Sequence, residues 1–380
     1  MENKHLHIIS FNVPWPANYG GVVDVFYRIR TLSEMGVSIH LHCFTYGREK
    51  AEVLNSLCKE VIYYKRDTSF IKMFSRKPYI VVSRQSEALV QNLLKDDYPI
   101  LCEGVHTAAL LDDKRLSGRN ICLRAHNVEH DYYRLLADST PWGWKRLFHR
   151  MEARRLKRFE PIARKAKAVF VVSEKDYNYF SAYNEQVVLM PSSHESNSVT
   201  VAVGRGDYLL YHGNLSVSEN LQAVEYLIHN VFSQLPFPCV IAGLNPPASL
   251  VKMVRRYPHI SLVTNPSDVE MERLVRDAQV NVLLTFQPTG LKLKLLNSLF
   301  SGRFCLVNRA MVEGSGLEQA CVVADTPEAM LSALQTLWNT SFTEADLSQR
   351  KMLLQGKYDN VHNAELLLQT MFPNEQFIDA

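Results

Sequence analysis

Short apolar runs alternate along the first half of the chain with segments whose apolar positions recur every three or four residues. Leu6–Phe11 predicts a strand, and Val22–Met35 predicts an amphipathic helix that ends at Gly36, a residue favoured at helix C-termini. Val37–Phe44 alternates apolar and polar residues and predicts the next strand. Further strands are predicted at Ile100–Glu103, Asn120–Ala125 and Ala168–Ser173. Such alternation predicts a parallel sheet with helices on both faces.

The periodicity stops at residues 191–206, where Ser, Asn and Gly accumulate, and this segment is interpreted as a linker. A second series follows, with strands predicted at Tyr208–His212, Pro238–Ala242, His259–Val263, Val280–Thr285, Phe304–Asn308 and Ala320–Ala324, and helices at Asn220–Phe232, Val269–Asp277, Leu291–Ser301 and Pro327–Trp338. We therefore expect an α/β protein with two Rossmann-like, doubly wound domains, residues 1–190 and 207–357. Ligands of such sheets bind beyond the carboxyl ends of the strands, so a cleft between the two domains is the expected site.

Composition narrows the class of protein. Hydrophobic residues make up 47% of the 380 residues and charged residues 21%, ordinary values for a globular protein. The net charge of +3 and the lack of a recognised nucleic-acid motif argue against a nucleic-acid partner. The seven scattered cysteines contain no CxxC pair, which fits a reducing cytosol better than a disulfide framework or a zinc site. With no signal peptide and no run near the roughly 18–20 apolar residues of a membrane span, we expect a cytoplasmic protein, soluble or peripherally attached.

Two loops of equivalent position have the features of phosphate-binding turns. Gly20 and Gly21 follow the first predicted strand of the first domain, and Gly213 and Asn214 follow the first strand of the second. Glycines let a backbone approach a ligand closely, and the helix that follows offers free N–H groups at its positive end. Paired glycines in such a turn also occur without any ligand, so each loop alone is a weak signal.

A third loop contains two lysines at the start of a helix. Thr289 and Gly290 precede Lys292 and Lys294. Lysines in a first helical turn oppose the helix dipole, and a bound anion would compensate for this. The two lysines lie on roughly opposite sides of the helix, so we expect one of them to contact a ligand and the other to face solvent.

Two histidines follow predicted strands of the first domain. His126 follows the strand that ends at Ala125, and His106 follows the strand that ends at Glu103. A histidine at the carboxyl edge of a sheet can act as a general base or donate a hydrogen bond to a reacting oxygen. His126 is the candidate catalytic residue, and His106 is grouped with Gly20 and Gly21 as a candidate acceptor or phosphate contact.

Residues Trp142–Lys167 are locally very basic, with ten Lys or Arg against two Glu, a balance of +8. A basic amphipathic helix with Trp at its edge can lie on an anionic membrane, and Arg154, Arg155 and Arg158 are the candidate contacts. The alternative is a solvated face on a helix that packs within its own domain.

Several of these segments together resemble the two-domain GT-B glycosyltransferases, and within them the family 4-like retaining enzymes. The first half matches in PANYGGV, RAHNVEHDYY and AVFVVSEKD, and the second in YHGNLSVSENLQAVEYL and TGLKLKLLNSLFSGRFCLV. The last segment is similar to the family stretch Gly-x-Lys-x-Lys-x-x-Glu-Ala. The resemblance covers most of the chain, and the order and spacing of the pieces are more specific than any one of them. It also implies that a last helix, predicted at Tyr358–Met371 within residues 358–380, can cross back to the first domain.

The resemblance implies transfer of a sugar from a nucleotide-diphosphate sugar, with retention and no required metal or other cofactor. His126 would lie beside the transferred sugar, and Lys294 would neutralise the diphosphate leaving group, whose charge develops as the glycosidic bond breaks. Gly20 and Gly21 would approach the donor phosphates or the acceptor, while Gly213, Asn214, Thr289, Gly290, Lys292 and Asn297 would lie on the donor side.

One departure from the family pattern leaves two functions open. Thr289 and Asn297 stand where many members carry two glutamates, and neither offers the charge-assisted bond of a carboxylate. The first reading is an active glycosyltransferase that builds a surface glycan on a glycan, lipid-linked or protein-linked acceptor. The second is a non-catalytic nucleotide-sugar-binding or assembly subunit. A GT-B epimerase or phosphorylase is a further alternative, but no lysine context for a pyridoxal cofactor stands out.

Overall fold

The computed structural model describes residues 4–286 and 293–373, which form two compact units. The first unit contains residues 4–194 and 356–373, and the second contains residues 195–286 and 293–355. The boundary falls at His194, within the segment interpreted as a linker. Ser193 and His194 belong to the first unit because their backbone N–H groups donate to the buried side chains of Asp24 and Asn360, at 2.7 and 3.2 Å.

The first unit is built on a parallel sheet with the strand order β3-β2-β1-β4-β5-β6-β7. Its strands are β1 (His5–Ser10), β2 (Ser38–Thr45), β3 (Glu60–Lys65), β4 (Ile100–Glu103), β5 (Ile121–Ala125), β6 (Val169–Val171) and β7 (Val187–Leu189). Its helices include α1 (Gly20–Glu34), α2 (Val53–Leu57), α3 (Tyr79–Val82), α4 (Glu87–Leu93), α5 (Glu129–Ser139), α6 (Trp144–Phe159) and α7 (Glu174–Phe180). Short 3₁₀ turns lie at Phe70–Phe74, Val105–Asp112, Lys114–Leu116 and Glu160–Lys165.

Both faces of this sheet are covered, as a parallel sheet requires. Leu6 and Ile8 pack into the apolar layer that contains α1, whereas Ile9 packs into the layer on the opposite face. Central strand β1 pairs in register with β2 on one side and β4 on the other, and Ile8 aligns with Leu41 and Leu101.

Two buried positions of β1 and β2 are occupied by histidines instead of apolar residues. The imidazoles of His7 and His42 are buried and hydrogen-bonded to each other at 2.9 Å. His7 also contacts Asp96 at 2.9 Å, and His42 contacts the Tyr64 hydroxyl at 2.8 Å. We call His7 and His42, with these contacts, the histidine ladder.

The second unit repeats the arrangement with the parallel strand order β10-β9-β8-β11-β12-β13. Its strands are β8 (Leu209–His212), β9 (Cys239–Gly243), β10 (Ile260–Thr264), β11 (Val280–Leu283), β12 (Phe304–Val307) and β13 (Val322–Val323). Its helices include α8 (Ser218–Asn230), α9 (Ala248–Val254), α10 (Asp268–Asp277), α11 (Leu293–Ser301), α12 (Arg309–Val312), α13 (Pro327–Asn339) and α14 (Glu344–Leu354). Short 3₁₀ turns lie at Phe232–Gln234 and Glu318–Ala320.

The last helix, α15 (Asn360–Met371), belongs to the first unit although it comes after the second in sequence. Its apolar face packs against α1, and Ala364, Leu367, Leu368 and Met371 are buried in the same layer as Leu6. Within residues 4–286 and 293–373, no helix combines the length and the hydropathy that crossing a bilayer requires.

Candidate functional site

In the second unit, the loop after β8 packs so closely on β9 that it leaves no room for a side chain there. A Cβ at Gly243, the last residue of β9, would lie 1.9 Å from the carbonyl oxygen of Gly213. A Cβ at Gly213 itself would lie 3.2 Å from the side chain of Asn220 on α8. The glycines therefore let this loop turn directly against the neighbouring strand and helix.

Asn214 closes the same loop internally. Its Oδ1 accepts from the backbone N–H of Ser216 at 3.1 Å and from the Ser216 hydroxyl at 2.7 Å. Its carbonyl oxygen accepts from the Asn220 side chain at 3.0 Å. The side chain of Asn214 thus holds the turn in shape, which differs from the direct ligand contact that the resemblance implies.

Lys294 lies in the first turn of α11, and its ammonium group is held beside this loop. Nζ lies 3.2 Å from Asn220 Oδ1, 3.4 Å from the Leu284 carbonyl oxygen and 5.5 Å from the centre of the Tyr211 ring. Burial, with a further contribution from Lys294, lowers the pKa of His212 to about 3. His212 is therefore neutral, and among the residues that the structure describes Lys294 carries the positive charge beside this loop.

A cavity of about 520 Å³ lies next to these residues, within the second unit. Lys294 and Asn297, one helical turn apart on α11, line it together with His212. Residues 195–198 and the start of α10, including Asp268 and Glu272, form other parts of its wall. Thr289, Gly290 and Lys292, also predicted on the donor side, lie outside the described residues.

Three side chains that fix this region were not predicted from the sequence. Asn220 positions both Gly213 and Lys294, as described above. Glu219, next to it, accepts a short hydrogen bond from the Thr285 hydroxyl. The amide of Asn308 binds the backbone N–H and C=O of Thr285, at 3.2 and 2.7 Å, and so fixes the chain beyond β11. The only sequence feature that could have pointed to Glu219 and Asn220 is their position side by side at the start of α8. Neither residue type by itself indicates that its side chain fixes a binding loop.

In the first unit, the paired glycines are the first residues of α1 rather than a loop before it. A Cβ at Gly21 would lie 2.8 Å from Cζ of Phe11, so this glycine lets the helix start pack on that ring. A Cβ at Gly20 would meet no atom of the described residues within 4 Å. Packing thus accounts for Gly21, and Gly20 stays a candidate for close approach by a ligand.

His126 follows β5 and lies between two buried carboxylates. Its Nε2 is 2.9 Å from Glu103 Oε2, and its Nδ1 is 3.3 Å from Asp24 Oδ2. Arg28 donates short hydrogen bonds to both carboxylates, and Arg124 Nε donates to Asp24 at 3.1 Å. Burial alone would raise the pKa of Asp24, but Arg124 and Arg28 outweigh it and hold that pKa well below its ordinary value.

This network changes the interpretation of His126. Both ring nitrogens already have carboxylate partners, so neither is available to take a proton from a ligand as a general base. A hydrogen bond from His126 to a reacting oxygen would require one of these contacts to open. The arrangement favours a histidine that helps to position the edge of the sheet.

The same three groups raise the question of a metal. Asp24, Glu103 and His126 present ligand atoms within 4.8 Å of one another. The two carboxylates are already neutralised by Arg28 and Arg124, and a divalent cation would lie directly beside two buried guanidinium groups. The charges of this cluster therefore do not fit a metal centre, and we assign none to it.

His106, the other predicted histidine, is partly buried and packed against its neighbours. Its ring stacks on Phe11 with the centroids 5.1 Å apart, and its Nδ1 lies against Gly104, where a Cβ would come within 2.7 Å. Burial first, and then Arg84, lower the pKa of His106 well below its ordinary value. His106 is therefore a neutral, packed side chain beneath the edge of the sheet.

The three arginines predicted to contact a membrane differ in their exposure to solvent. Arg154 and Arg158 are exposed on α6. The side chain of Arg155 is 14% exposed, and its Nη1 pairs with Glu152 at 3.0 Å. Glu152 in turn accepts from the backbone N–H of Tyr79 at 2.7 Å, so this pair anchors α6 to α3. Arg155 was wrongly assigned to the surface, because a buried acid one turn away draws it inward.

We compared the chain with protein-family models, curated proteins and solved structures. No protein-family model matches the chain. A Klebsiella pneumoniae protein described as an uncharacterized 44.6 kDa protein in the cps region is 26% identical over 332 residues, 81% of this chain and 84% of that protein.

Similar solved structures include the lipopolysaccharide outer core galactosyltransferase WaaB, with a TM-score of 0.62 and 13% identity over 98% of this chain and 100% of that one. Anabaena HepE, solved with UDP and glucose, has a TM-score of 0.62 and 10% identity over 96% of this chain and 98% of its own. At such identities the likeness shows the fold. The predicted GT-B architecture of two parallel-sheet α/β units is confirmed.

Proposed function

We propose that this protein is a glycosyltransferase that moves a sugar from a nucleotide-diphosphate sugar to a glycan, lipid-linked or protein-linked acceptor. The observation that carries the proposal is the position of Lys294. Its ammonium group is held by Asn220 and the Leu284 carbonyl beside a glycine loop and a 520 Å³ cavity, at the carboxyl edge of the second sheet. Similar solved structures include enzymes described as glycosyltransferases, and HepE was solved with bound UDP.

The chemistry of the leaving group explains why a lysine suits this place. As the bond between sugar and diphosphate breaks, negative charge builds up on the diphosphate. A cation held in advance by two acceptors stabilises that charge without reorganising. We expect Lys294 to do this without a metal ion, and we expect transfer with retention at the anomeric carbon.

The acceptor belongs, on this proposal, to a surface polysaccharide or glycoconjugate. WaaB is described as an enzyme of the lipopolysaccharide outer core, which supports this class of product. All seven cysteines lie within the described residues and are unpaired, in keeping with synthesis on the cytoplasmic face of a membrane.

A surface of the first unit suits attachment to that membrane. Trp142 and Ile71 are 84% and 81% exposed, and large apolar side chains are seldom left so open without a partner. Trp142 precedes α6, and Ile71 lies in the 3₁₀ turn Phe70–Phe74, and both segments pack against α3. We call the following exposed residues of these segments the membrane surface: Phe70, Ile71, Phe74, Trp142, Trp144, Leu147, Arg154 and Arg158. Apolar side chains beside exposed cations match an anionic bilayer.

Calorimetric titration with UDP, GDP and ADP tests the proposal. We expect one of them to bind the wild-type protein, and Lys294→Met to weaken that binding about 10- to 100-fold, the loss of hydrogen bonding to a charged group. Lys252→Met removes a lysine from α9 of the same unit, away from the cavity, and is the matched control, with unchanged binding expected. Equal binding by the wild-type and Lys294→Met proteins would reject the assigned role.

Release of the nucleoside diphosphate from its sugar conjugate separates an enzyme from a binding subunit. The alternative of a non-catalytic subunit is favoured by Thr289 and Asn297, which replace two family glutamates. An enzyme should release the diphosphate faster when the acceptor is added. A protein that binds the donor but gives no release with any surface-glycan acceptor would support the alternative.

A further inference from the structure

Two arginines that the proposed function does not use lie together at the carboxyl edge of the first sheet. Arg66 directly follows β3, Arg84 follows α3, and the two residues are only 9% and 7% exposed. Nε of Arg84 donates to the carbonyl oxygen of Phe11, just beyond β1, at 2.7 Å. The Phe11 ring stacks on His106, just beyond β4. This Arg66–Arg84 cluster therefore lies at the end of three strands, where sheets of this class bind ligands.

The position of Arg66 is fixed by its neighbours rather than by a carboxylate. Its Nε donates to the hydroxyl of Ser83 at 2.9 Å, and Ser83 immediately precedes Arg84 in the chain. Its guanidinium carbon lies 4.5 Å from the centre of the Tyr46 ring and 5.3 Å from that of Tyr79. The two rings hold the planar group in place, and among the described residues its terminal nitrogens make no hydrogen bond.

Arg84 has a structural role that uses part of its hydrogen-bonding capacity. Its Nε and Nη1 donate to the carbonyl oxygens of Phe11 and Ile80, each at 2.7 Å. Carbonyl groups accept hydrogen bonds, but they do not neutralise a charge. Within residues 4–286 and 293–373, neither Arg66 nor Arg84 forms an ion pair with a carboxylate.

Neither Glu129 nor His106 supplies the missing negative charge, and the carboxylate of Asp67, next to Arg66 in the chain, pairs with Lys72 at 3.5 Å. Glu129 is buried, and burial together with the neighbouring Glu160 raises its pKa to about 8, so it is mostly protonated at neutral pH. Burial and the proximity of Arg66 lower the pKa of Arg84 to about 9, which still leaves it charged. His106 is neutral, and its buried Nδ1 has no hydrogen-bond partner among the described residues.

Two like charges at a largely buried sheet edge are unfavourable unless an anion compensates for them. Arginine is the side chain best suited to phosphate, because its planar fork donates two parallel hydrogen bonds. We infer that Arg66 and Arg84 bind a phosphate group. Under the proposed function, which this step presupposes, that phosphate belongs to the acceptor, so the acceptor is a phosphorylated sugar or lipid.

Titration of the full-length protein with inorganic phosphate, against potassium chloride of equal ionic strength, tests the inference. Phosphate should bind the wild-type protein and raise its unfolding temperature. Arg66→Gln should weaken phosphate binding by at least about tenfold, as expected when a charge-assisted pair is lost. Arg66→Lys keeps the charge without the fork and should retain part of the affinity, which separates a lost contact from a misfolded chain.

A second arm with UDP distinguishes this site from the donor site. UDP binding should be unchanged in Arg66→Gln, and phosphate binding should be unchanged in Lys294→Met. Phosphate binding that is lost in Lys294→Met and kept in Arg66→Gln would overturn the inference, because phosphate would then occupy the donor site. Absence of phosphate binding to the wild-type protein would overturn it as well. Failure of every nucleotide to bind would count against the proposed function alone.

Discussion

Replacement of the buried Asp24 by asparagine should destabilise the first unit. The loss in unfolding free energy should be far larger than when the exposed Arg30–Glu34 pair, also four residues apart on α1, is broken. Oδ1 of Asp24 accepts from Arg28 and, at 2.7 Å, from the backbone N–H of Ser193, while Oδ2 accepts from Arg124 at 3.1 Å. The asparagine would keep the size of the side chain but turn an amide N–H group towards a guanidinium. Removing one partner of a buried pair costs about 3–5 kcal/mol, because the remaining charge stays buried without compensation.

Helix α1 contains its own control. Arg30 and Glu34 form a second pair four residues apart at 2.9 Å, but their side chains are 41% and 54% exposed. Glu34→Gln should cost about 0.3–0.5 kcal/mol, as solvent-exposed pairs do. For a unit of this size the expected drop in unfolding temperature is roughly 2–4 °C per kcal/mol, hence about 6–20 °C for Asp24→Asn and about 1–2 °C for Glu34→Gln.

Scanning calorimetry measures both variants, and hydrogen exchange in peptides from α1 assigns the shifted transition to the first unit. The pKa of Asp24 is lower in the folded than in the unfolded state, so its contribution is present above about pH 4 and lost as the pH falls through the folded value. The difference between wild type and Asp24→Asn should therefore persist from about pH 5 to 8. A cost for Asp24→Asn no larger than that for Glu34→Gln would refute the argument.

Three further predictions concern a backbone contact, the histidine ladder and the membrane surface. Gly243→Ala should destabilise the second unit by about 1–3 kcal/mol and weaken nucleotide binding, because its Cβ would clash with the Gly213 carbonyl. Gly20→Ala, where a Cβ meets no atom of the described residues within 4 Å, should leave stability unchanged or raise it. Calorimetry measures the stability of both variants, and titration measures their nucleotide binding. Burial lowers the pKa of His42 to about 3, so the unfolded chain binds a proton below about pH 6.5 that the native state does not. Stability should therefore fall by up to about 1.4 kcal/mol per pH unit below that value, and an equal slope in urea titrations of His42→Gln would contradict this. Flotation with anionic liposomes should be reduced by Trp142→Ser and Ile71→Ser and by salt, and equal binding to neutral vesicles would count against the membrane surface.

Much of the fold could be predicted because the periodic signal is strong where strands are buried on both faces. The strand Ile100–Glu103 was predicted with the bounds that the structure shows, and most others differ by one or two residues. The strands β3 and β7 were not predicted, because they lie at the two edges of the sheet and are only partly buried. Helix α14 was also missed, since its amphipathic pattern is weak.

The candidate site could be predicted only where its residues are close in sequence. Lys294 and Asn297 lie one turn apart, and the resemblance to the family stretch Gly-x-Lys-x-Lys-x-x-Glu-Ala assigned both to the donor side. The partners of His126 come from α1 and β4, more than twenty residues away, and single-sequence reasoning has no means of pairing them. The same holds for Arg66 and Arg84, whose significance depends on the lack of a counter-charge among the described residues, a property of the folded chain.

Helix α15 comes last in the chain but completes the core of the first unit. The first unit contains residues 4–194, but the apolar layer beside α1 is filled only when Ala364, Leu367, Leu368 and Met371 arrive. During synthesis on the ribosome, the second unit is finished before the first can close its core. A gene fragment that stops after residue 194 would therefore encode a first unit whose apolar layer beside α1 is incomplete. A division of the protein for separate expression should keep the first and last segments on one polypeptide.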